Sequence, residues 1–407
     1  MLSALKKPAL VRGFATQASR GLNEVVIVSA ARTPVAVFNG AFKSLTAPQL
    51  GAIAAKSAIE RAGLKPDQIE EAYLGNVLQA NIGQAPARQA VLGAGCPEST
   101  EATTINKVCA SGMKAIMLAT QNLQLGIRDI MLAGGMESMT NAPYYSQRNI
   151  AYGHQQLSDA IIKDGLWDPY NNFHMGNCAE NTAANYNISR EAQDEHAIES
   201  YKRAAAAWKN GVFDAEIVPV TIKNKKGDII VKEDEEYKTV KFDKIPGLRP
   251  VFKKDGTVTA ANASTLNDGA SAVVLMTRQK AQELGVKPLA RIVSYADAAT
   301  KPIDFTIAPS LALPIALKRA GLELKDISLF EFNEAFSVVA RVNEQILGLD
   351  ASKVNIAGGA VALGHPIGSS GSRIVVTLTH LLKSGQFGAA AICNGGGAAS
   401  SIVIQKE

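Results

Sequence analysis

An α/β protein built from two similar halves is predicted by three features of the sequence: β-branched runs alternating with small-residue helical stretches, an internal echo between residues 105–135 and 354–397, and a polar stretch between them that carries neither pattern. Glu24 to Ala30 is a continuous run of the kind found in a strand covered on both faces. Leu50 to Ala62 repeats small and apolar residues at helical spacing and stops at Gly63. Ala72 to Val77 reads as the next strand, so a mostly parallel sheet is expected.

The echo sets the domain organisation. Ile105 to Ala115 reads as a strand end, a reactive-looking turn and a helix, followed by the strand-like Asp129 to Gly135. Val354 to Ile356 leads into Gly364-His365-Pro366-Ile367-Gly368 and a helix from Ser370, followed by Ala389 to Gly397. Two such halves packed together put both turns at a shared seam. The expected units are an N-terminal α/β half over 22–140 and 264–290, an inserted loop domain over 141–263, and a C-terminal α/β half over 291–407. Within the insertion, residues 223–249 carry Lys225, Lys226, Lys232, Lys238, Lys241, Lys244 and Arg249, either a solvated face or a patch for a phosphorylated ligand.

The 407 residues, 47% hydrophobic and 19% charged, suffice for large cores. No run approaches the roughly 18 apolar residues a membrane span needs. Cys96, Cys109, Cys178 and Cys393 are too few and too dispersed for a disulfide framework, and are expected as free thiols. Lys6, Lys7, Arg12 and Arg20, with no acid before Glu24, supply most of the formal charge of +5. A basic, acid-free segment over 1–20 with Ser3, Thr16 and Ser19 reads as a mitochondrial presequence, with a matrix-protease site resembling Arg12-Gly13-Phe14-Ala15. Without it, no basic stripe argues for nucleic acid.

Four segments set a polar or reactive side chain among glycines or beside a helix start. Cys109, in Val108-Cys109-Ala110-Ser111-Gly112, sits at a strand-to-helix turn where the helix dipole favours a thiolate; it is either a nucleophile or a small buried apolar residue. His365, between Gly364 and Pro366, is either a partner for a thiol or a structural histidine. Asn333, after Ile327 to Phe332, either caps the next helix or holds a water or oxyanion. Cys393 precedes Asn394-Gly395-Gly396-Gly397, a setting that suits a thiol exchanging protons near an oxyanion hole.

Taken together, and with Gly134-Gly135-Met136-Glu137-Ser138-Met139, His174-Met175-Gly176 and Ala260-Ala261-Asn262-Ala263-Ser264, these segments resemble the thiolase family from Glu24 to Glu407. The resemblance implies a five-layered α-β-α-β-α fold of two duplicated halves with an inserted loop domain. It implies a reversible Claisen condensation of two acetyl-CoA through an acyl-enzyme, with no metal or redox cofactor in the chemistry. Cys109 is then the nucleophile, His365 accepts its proton, and Cys393 is the acid/base. Asn333 through a water, with His365, forms one oxyanion hole; the amides of Cys109 and Gly395 form the other.

Asp164 to Asp168, Phe173 to Cys178 and Pro302 to Phe305 look like the short-chain acetoacetyl-CoA members, in which His174, Phe336 and neighbours such as Ala335 restrict the acyl pocket. By the same matching Leu166, Tyr201, Thr239, Val240, Lys241, Lys244 and Ser264 line the coenzyme A site. Potassium as an activator is implied at Tyr201, Ala260, Ala261, Ala263 and Val361, where carbonyl oxygens suit a hard monovalent cation and plain packing is the other reading. A homotetramer is implied, with Leu123–Arg128 and Tyr144–Arg148 as contact segments. The rival expectations are a longer-chain 3-ketoacyl-CoA thiolase and a non-catalytic acyl-CoA or lipid carrier on the same fold.

Overall fold

The computed structural model describes residues 21–149 and 152–407; the leader over 1–20 lies outside the described residues. The first half contains β1 (Val25–Arg32), β2 (Glu71–Gly75), β3 (Glu101–Ile105), β4 (Ile130–Ser138) and β5 (Asn267–Thr277), with helices α1 (Ala47–Arg61), α2 (Pro86–Gly93) and α3 (Ser111–Gln124). Between β4 and β5 the chain leaves the sheet and forms α4 (Met175–Asn185), α5 (Arg190–Lys209) and short hairpins. After α6 (Arg278–Leu284) come β6 (Ala290–Ala299), β7 (Ile327–Phe332), β8 (Phe387–Asn394) and β9 (Ala398–Lys406). Helix α7 (Pro309–Ala320) lies between β6 and β7, and helices α8 (Ser337–Leu347), α9 (Ala360–Leu363) and α10 (Ile367–Leu381) lie between β7 and β8.

The duplication is visible in the pairing. The first half runs β1-β5-β4-β2-β3 and the second β6-β9-β8-β7, closed by a parallel bridge from Phe330 to Val354. Each half begins with two antiparallel pairings and ends with parallel ones. The ladders β1–β5 and β6–β9 even break register at matching places, between Ile27 and Ser29 and between Ile292 and Ser294. The expected mostly parallel sheet is therefore corrected to a mixed one. Its central strands β5 and β9 return antiparallel, β5 after the long insertion and β9 through the tight glycine turn at 395–397. The two half-sheets join through Val26↔Arg291 and Ile27↔Ala290.

Helices α3 and α10 lie between the half-sheets in one buried cluster that includes Met113, Ile116, Ile374, Val375, Val273 and Ile402. The outer face of the first half is covered by α1 and α2, through Leu50, Ala54, Ala90 and Val91. The second is covered by α7, through Leu313 and Leu317. This gives the expected five layers. Glycines make the middle layer thin enough: a Cβ on Gly135 would stand 2.0 Å from the carbonyl oxygen of Gly368, and one on Gly112 would stand 2.5 Å from Ser372 Oγ. Sheet and helix backbones touch there, and the starts of α3 and α10 are drawn to one seam.

Candidate active site

Cys109 and His365 occupy equivalent places, each two residues ahead of its helix start at Ser111 and Ile367. The residue before each turns left-handed, Val108 at φ 48° and Gly364 at φ 96°. Glycine adopts that conformation freely, whereas a β-branched valine stores strain. The strained turn is held because Ser111 Oγ accepts from the Lys107 amide at 2.8 Å and the Ser111 amide donates to the Val108 carbonyl at 3.0 Å. On the other side, the His365 amide donates to Asn267 Oδ1 at 2.9 Å.

The register extends the equivalence. In the first half Gly75 pairs with Gly135, and in the second Phe332 pairs with Ala391. Counting on from these pairs, Asn76 matches Asn333 and Glu137 matches Cys393. In the first half the two members bond to each other, Asn76 Nδ2 donating to Glu137 Oε1 at 2.7 Å. In the second they are free for other work: both amide atoms of Asn333 are buried without a partner among the described residues. Asn333 does not cap α8, whose N-cap position is Phe336.

The two cysteines are coupled electrostatically: a charge on Cys109 raises the pKa of Cys393, while the backbone amide of Gly395 favours the Cys109 thiolate. All four cysteines are free and buried. The expectation that the helix dipole lowers the Cys109 pKa is not met. Burial pushes it up to about 12, with a smaller push from Glu137, against the Gly395 amide. Desolvation of a fully enclosed thiolate outweighs one helix end. Cys393 is raised well above the usual thiol range, by burial and then by Cys109.

His365 is held neutral, its pKa pushed down to about 3 by burial and then by the Arg373 guanidinium. Its Nδ1 lies 2.6 Å from Ser370 Oγ, and that hydroxyl donates to the Pro366 carbonyl at 2.9 Å. With its proton so committed, Ser370 accepts from Nδ1–H, and the lone pair is left on Nε2. Nε2 is buried with no partner among the described residues, the state of a base awaiting a proton.

A pocket of about 80 Å³ is lined by Cys109, Leu166, His174, Ser264, Ala335, Phe336 and His365, and also by Met139, Met175, Phe252, Thr265, Leu266 and Ile367. Phe252 stacks on His174 with ring centroids 4.6 Å apart and meets Phe336 edge-on at 6.2 Å. Gly176 makes room for it, since a Cβ there would fall 2.3 Å from the ring. Phe252, Ala263, Ser264, Thr265 and Leu266 also line a wider groove of about 500 Å³, together with Glu236, Thr239, Val251 and Ala260. A wide apolar groove thus narrows past Phe252 to a small chamber holding the thiol and the imidazole.

Of the other residues expected at the site, Tyr201 and Val240 pack with Val361 in the cluster between α5 and α9. Ala261 lies beside the groove-lining Ala260, and Lys241 and Lys244 stand on an exposed turn. Sequence reasoning missed Ser370, Phe252, Asn267 and Glu137. Only Phe252 carried a signal, as an aromatic residue in an otherwise charged stretch; the polar three gain meaning from partners about 5 to 231 positions away.

Paired thiols with an imidazole base and amide donors, at the seam of a duplicated α/β fold, are the apparatus of acyl transfer through a thioester. Family models match residues 25–279 to the thiolase N-terminal domain and residues 286–406 to the thiolase C-terminal domain. The chain belongs to the thiolase family. It is 62% identical to an acetyl-CoA acetyltransferase of Yarrowia lipolytica, over 95% of this chain and 97% of that one. It is also 62% identical to a mitochondrial acetyl-CoA acetyltransferase of Bos taurus, over 95% and 92% respectively. Among solved structures, an Ascaris suum thiolase in complex with coenzyme A superposes with a TM-score of 0.91 at 50% identity, covering 94% of this chain and 100% of that one.

Proposed function

We propose that this chain is an acetyl-CoA acetyltransferase that joins two acetyl-CoA into acetoacetyl-CoA and coenzyme A and runs the reverse thiolysis. The observation that carries this reading is that the Cys109 thiol and the His365 imidazole, one from each half, face one small chamber, with the buried Cys393 close enough to feel a charge on Cys109. In acylation the Cys109 sulfur attacks the thioester carbon, its proton passes to His365 Nε2, and Cys393 protonates the departing coenzyme A sulfur. The resulting Cys393 thiolate then takes a methyl proton from the second acetyl-CoA. That carbanion attacks the acetyl-Cys109 carbonyl, the bond to sulfur breaks, and His365 returns the proton to Cys109. Neutral thiols and a neutral imidazole at rest suit this scheme, because the charges appear as an opposed pair only during turnover. The amides of Cys109 and Gly395 serve the first oxyanion, and Asn333 with His365 the second.

Coenzyme A would run along the wide groove past Thr239 and Ser264, with Leu166, His174, Ala335 and Phe336 around its acyl end. Tyr201, Val240, Lys241 and Lys244 would contribute from the flank. The test is turnover of acetoacetyl-CoA against a long 3-ketoacyl-CoA; preference for the long substrate overturns the reading.

For potassium, the donors present fit a monovalent cation. The carbonyls of Ala260, Ala261, Ala263 and Val361 and the Tyr201 hydroxyl take part in no hydrogen bond among the described residues. Nearby Glu236 is a buried carboxylate without an ion-pair partner among them. These groups would hold the ion, which would supply positive charge at the groove. A mitochondrial matrix location fits the basic leader and the bovine relative's name. A homotetramer fits exposed Leu125, Ile127 and Tyr144 in the expected contact segments.

A further inference from the structure

The Asn333 side chain makes no hydrogen bond among the described residues, so its aim is set by the backbone on either side. One residue, Asn355, holds the backbone of the residue before Asn333 and the side chain of the residue after it. The Phe332 amide donates to Asn355 Oδ1 at 2.8 Å, and Asn355 Nδ2 donates both to the Phe332 carbonyl at 2.8 Å and to Glu334 Oε1 at 2.8 Å. Glu334 is 1% exposed. Its other oxygen accepts from Ser200 Oγ at 2.8 Å and from the Val361 amide at 3.2 Å, and His196 Nε2 stands 3.1 Å from Oε1.

Burial alone would lift the Glu334 pKa, but His196, Asn355 and Ser200 hold it below the usual carboxylate range. A Cβ on Gly359 would fall 2.3 Å from the carboxylate, so α9 closes directly onto it. Asn355 itself sits at φ 47°, a left-handed conformation that asparagine tolerates and glycine adopts freely.

We infer that Glu334 and Asn355 are positioning residues that bracket Asn333 and fix the aim of its unpartnered amide, two residues ahead of Ala335 in the chamber wall. This rests on the reading above, in which Asn333 serves the carbon–carbon step and takes no part in loading acetyl onto Cys109. Loss of the bracket lets the amide drift, and misplacement by an ångström costs rate without costing binding. The experiment compares Glu334→Gln and Asn355→Gly with the unaltered chain in two assays. Exchange of labelled coenzyme A into acetyl-CoA reports the loading of Cys109, and acetoacetyl-CoA formation reports the whole cycle.

The expected result is a fall in condensation kcat of about 10- to 100-fold, with KM and the exchange rate within about twofold. Asn355→Gly is compatible with the local backbone and carries the test should Glu334→Gln fail to fold. Equal loss in both assays marks general damage and overturns the inference, as does unchanged condensation. Asn333→Ala separates the two claims. If it condenses normally, the underlying reading has failed; if it is slow while the bracket variants are normal, only the inference has.

Discussion

His365 Nδ1 and Ser370 Oγ stand 2.6 Å apart, one turn along the start of α10, and the direction of that hydrogen bond decides which imidazole nitrogen is basic. Because the Ser370 hydroxyl spends its proton on the Pro366 carbonyl, it enforces the Nδ1–H tautomer. Ser370→Ala should therefore lower kcat by about 10-fold or more, with KM little changed, because a base in the wrong tautomer is lost to proton transfer and not to binding. Steady-state kinetics beside a thermal melt would check this, and an equal rise in KM would contradict it.

The Cys109 thiol, pushed up to about 12 by burial, should behave as a thiol over the whole physiological range. Its raised pKa leaves the thiolate fraction climbing with pH, so iodoacetamide inactivation should accelerate about tenfold per pH unit between roughly pH 6 and 9, with protection by acetyl-CoA. A plateau near neutrality would mean that the thiolate is already formed at rest.

Phe252 narrows the passage between the groove and the chamber, locked between His174 and Phe336. Phe252→Ala should raise kcat/KM for a six-carbon 3-ketoacyl-CoA relative to acetoacetyl-CoA by about 10-fold, the scale of one or two methylenes in an apolar pocket. A competition assay with both substrates measures the ratio directly; no change would place the length limit elsewhere.

Arg32 anchors the insertion to the sheet: it pairs with Glu216 and, through two nitrogens at 2.8 and 3.0 Å, with Asp234, all three fully enclosed. Arg32→Met strands two buried carboxylates and should destabilise the fold by roughly 3–5 kcal/mol. Urea unfolding at neutral pH is the measurement, and a loss below about 1 kcal/mol, the scale of an exposed pair, would show that the latch is dispensable.

The repeated grammar of strand, turn and helix was legible in the sequence because hydrophobic period and glycine placement are local. Cys109, His365, Asn333 and Cys393 could be singled out there as candidates, His365 by the glycine and proline on either side, Cys393 by the glycines after it, and Cys109 and Asn333 by their place at a strand end. Strand direction was not legible, since β5 and β9 owe theirs to where a long insertion and a glycine hairpin return the chain. The thiol pKa was misjudged because a dipole shows in sequence and enclosure does not. Ser370 and Phe252 stayed unread because each acts through a partner that only the fold supplies.

The matched positions Asn76 with Asn333, Glu137 with Cys393 and Cys109 with His365 record a common origin that ended in unequal fates. An ancestral half would have placed three such side chains at every seam, and an assembly of two identical copies would have owned two like centres. In the present molecule the Asn76–Glu137 copy has turned into a fastener, its carboxylate also taking the amides of Val77, Leu78 and Gly368. Cys109 lies in one half and its proton acceptor His365 in the other, so with the halves expressed separately acyl transfer should return only when the two are mixed and zip together.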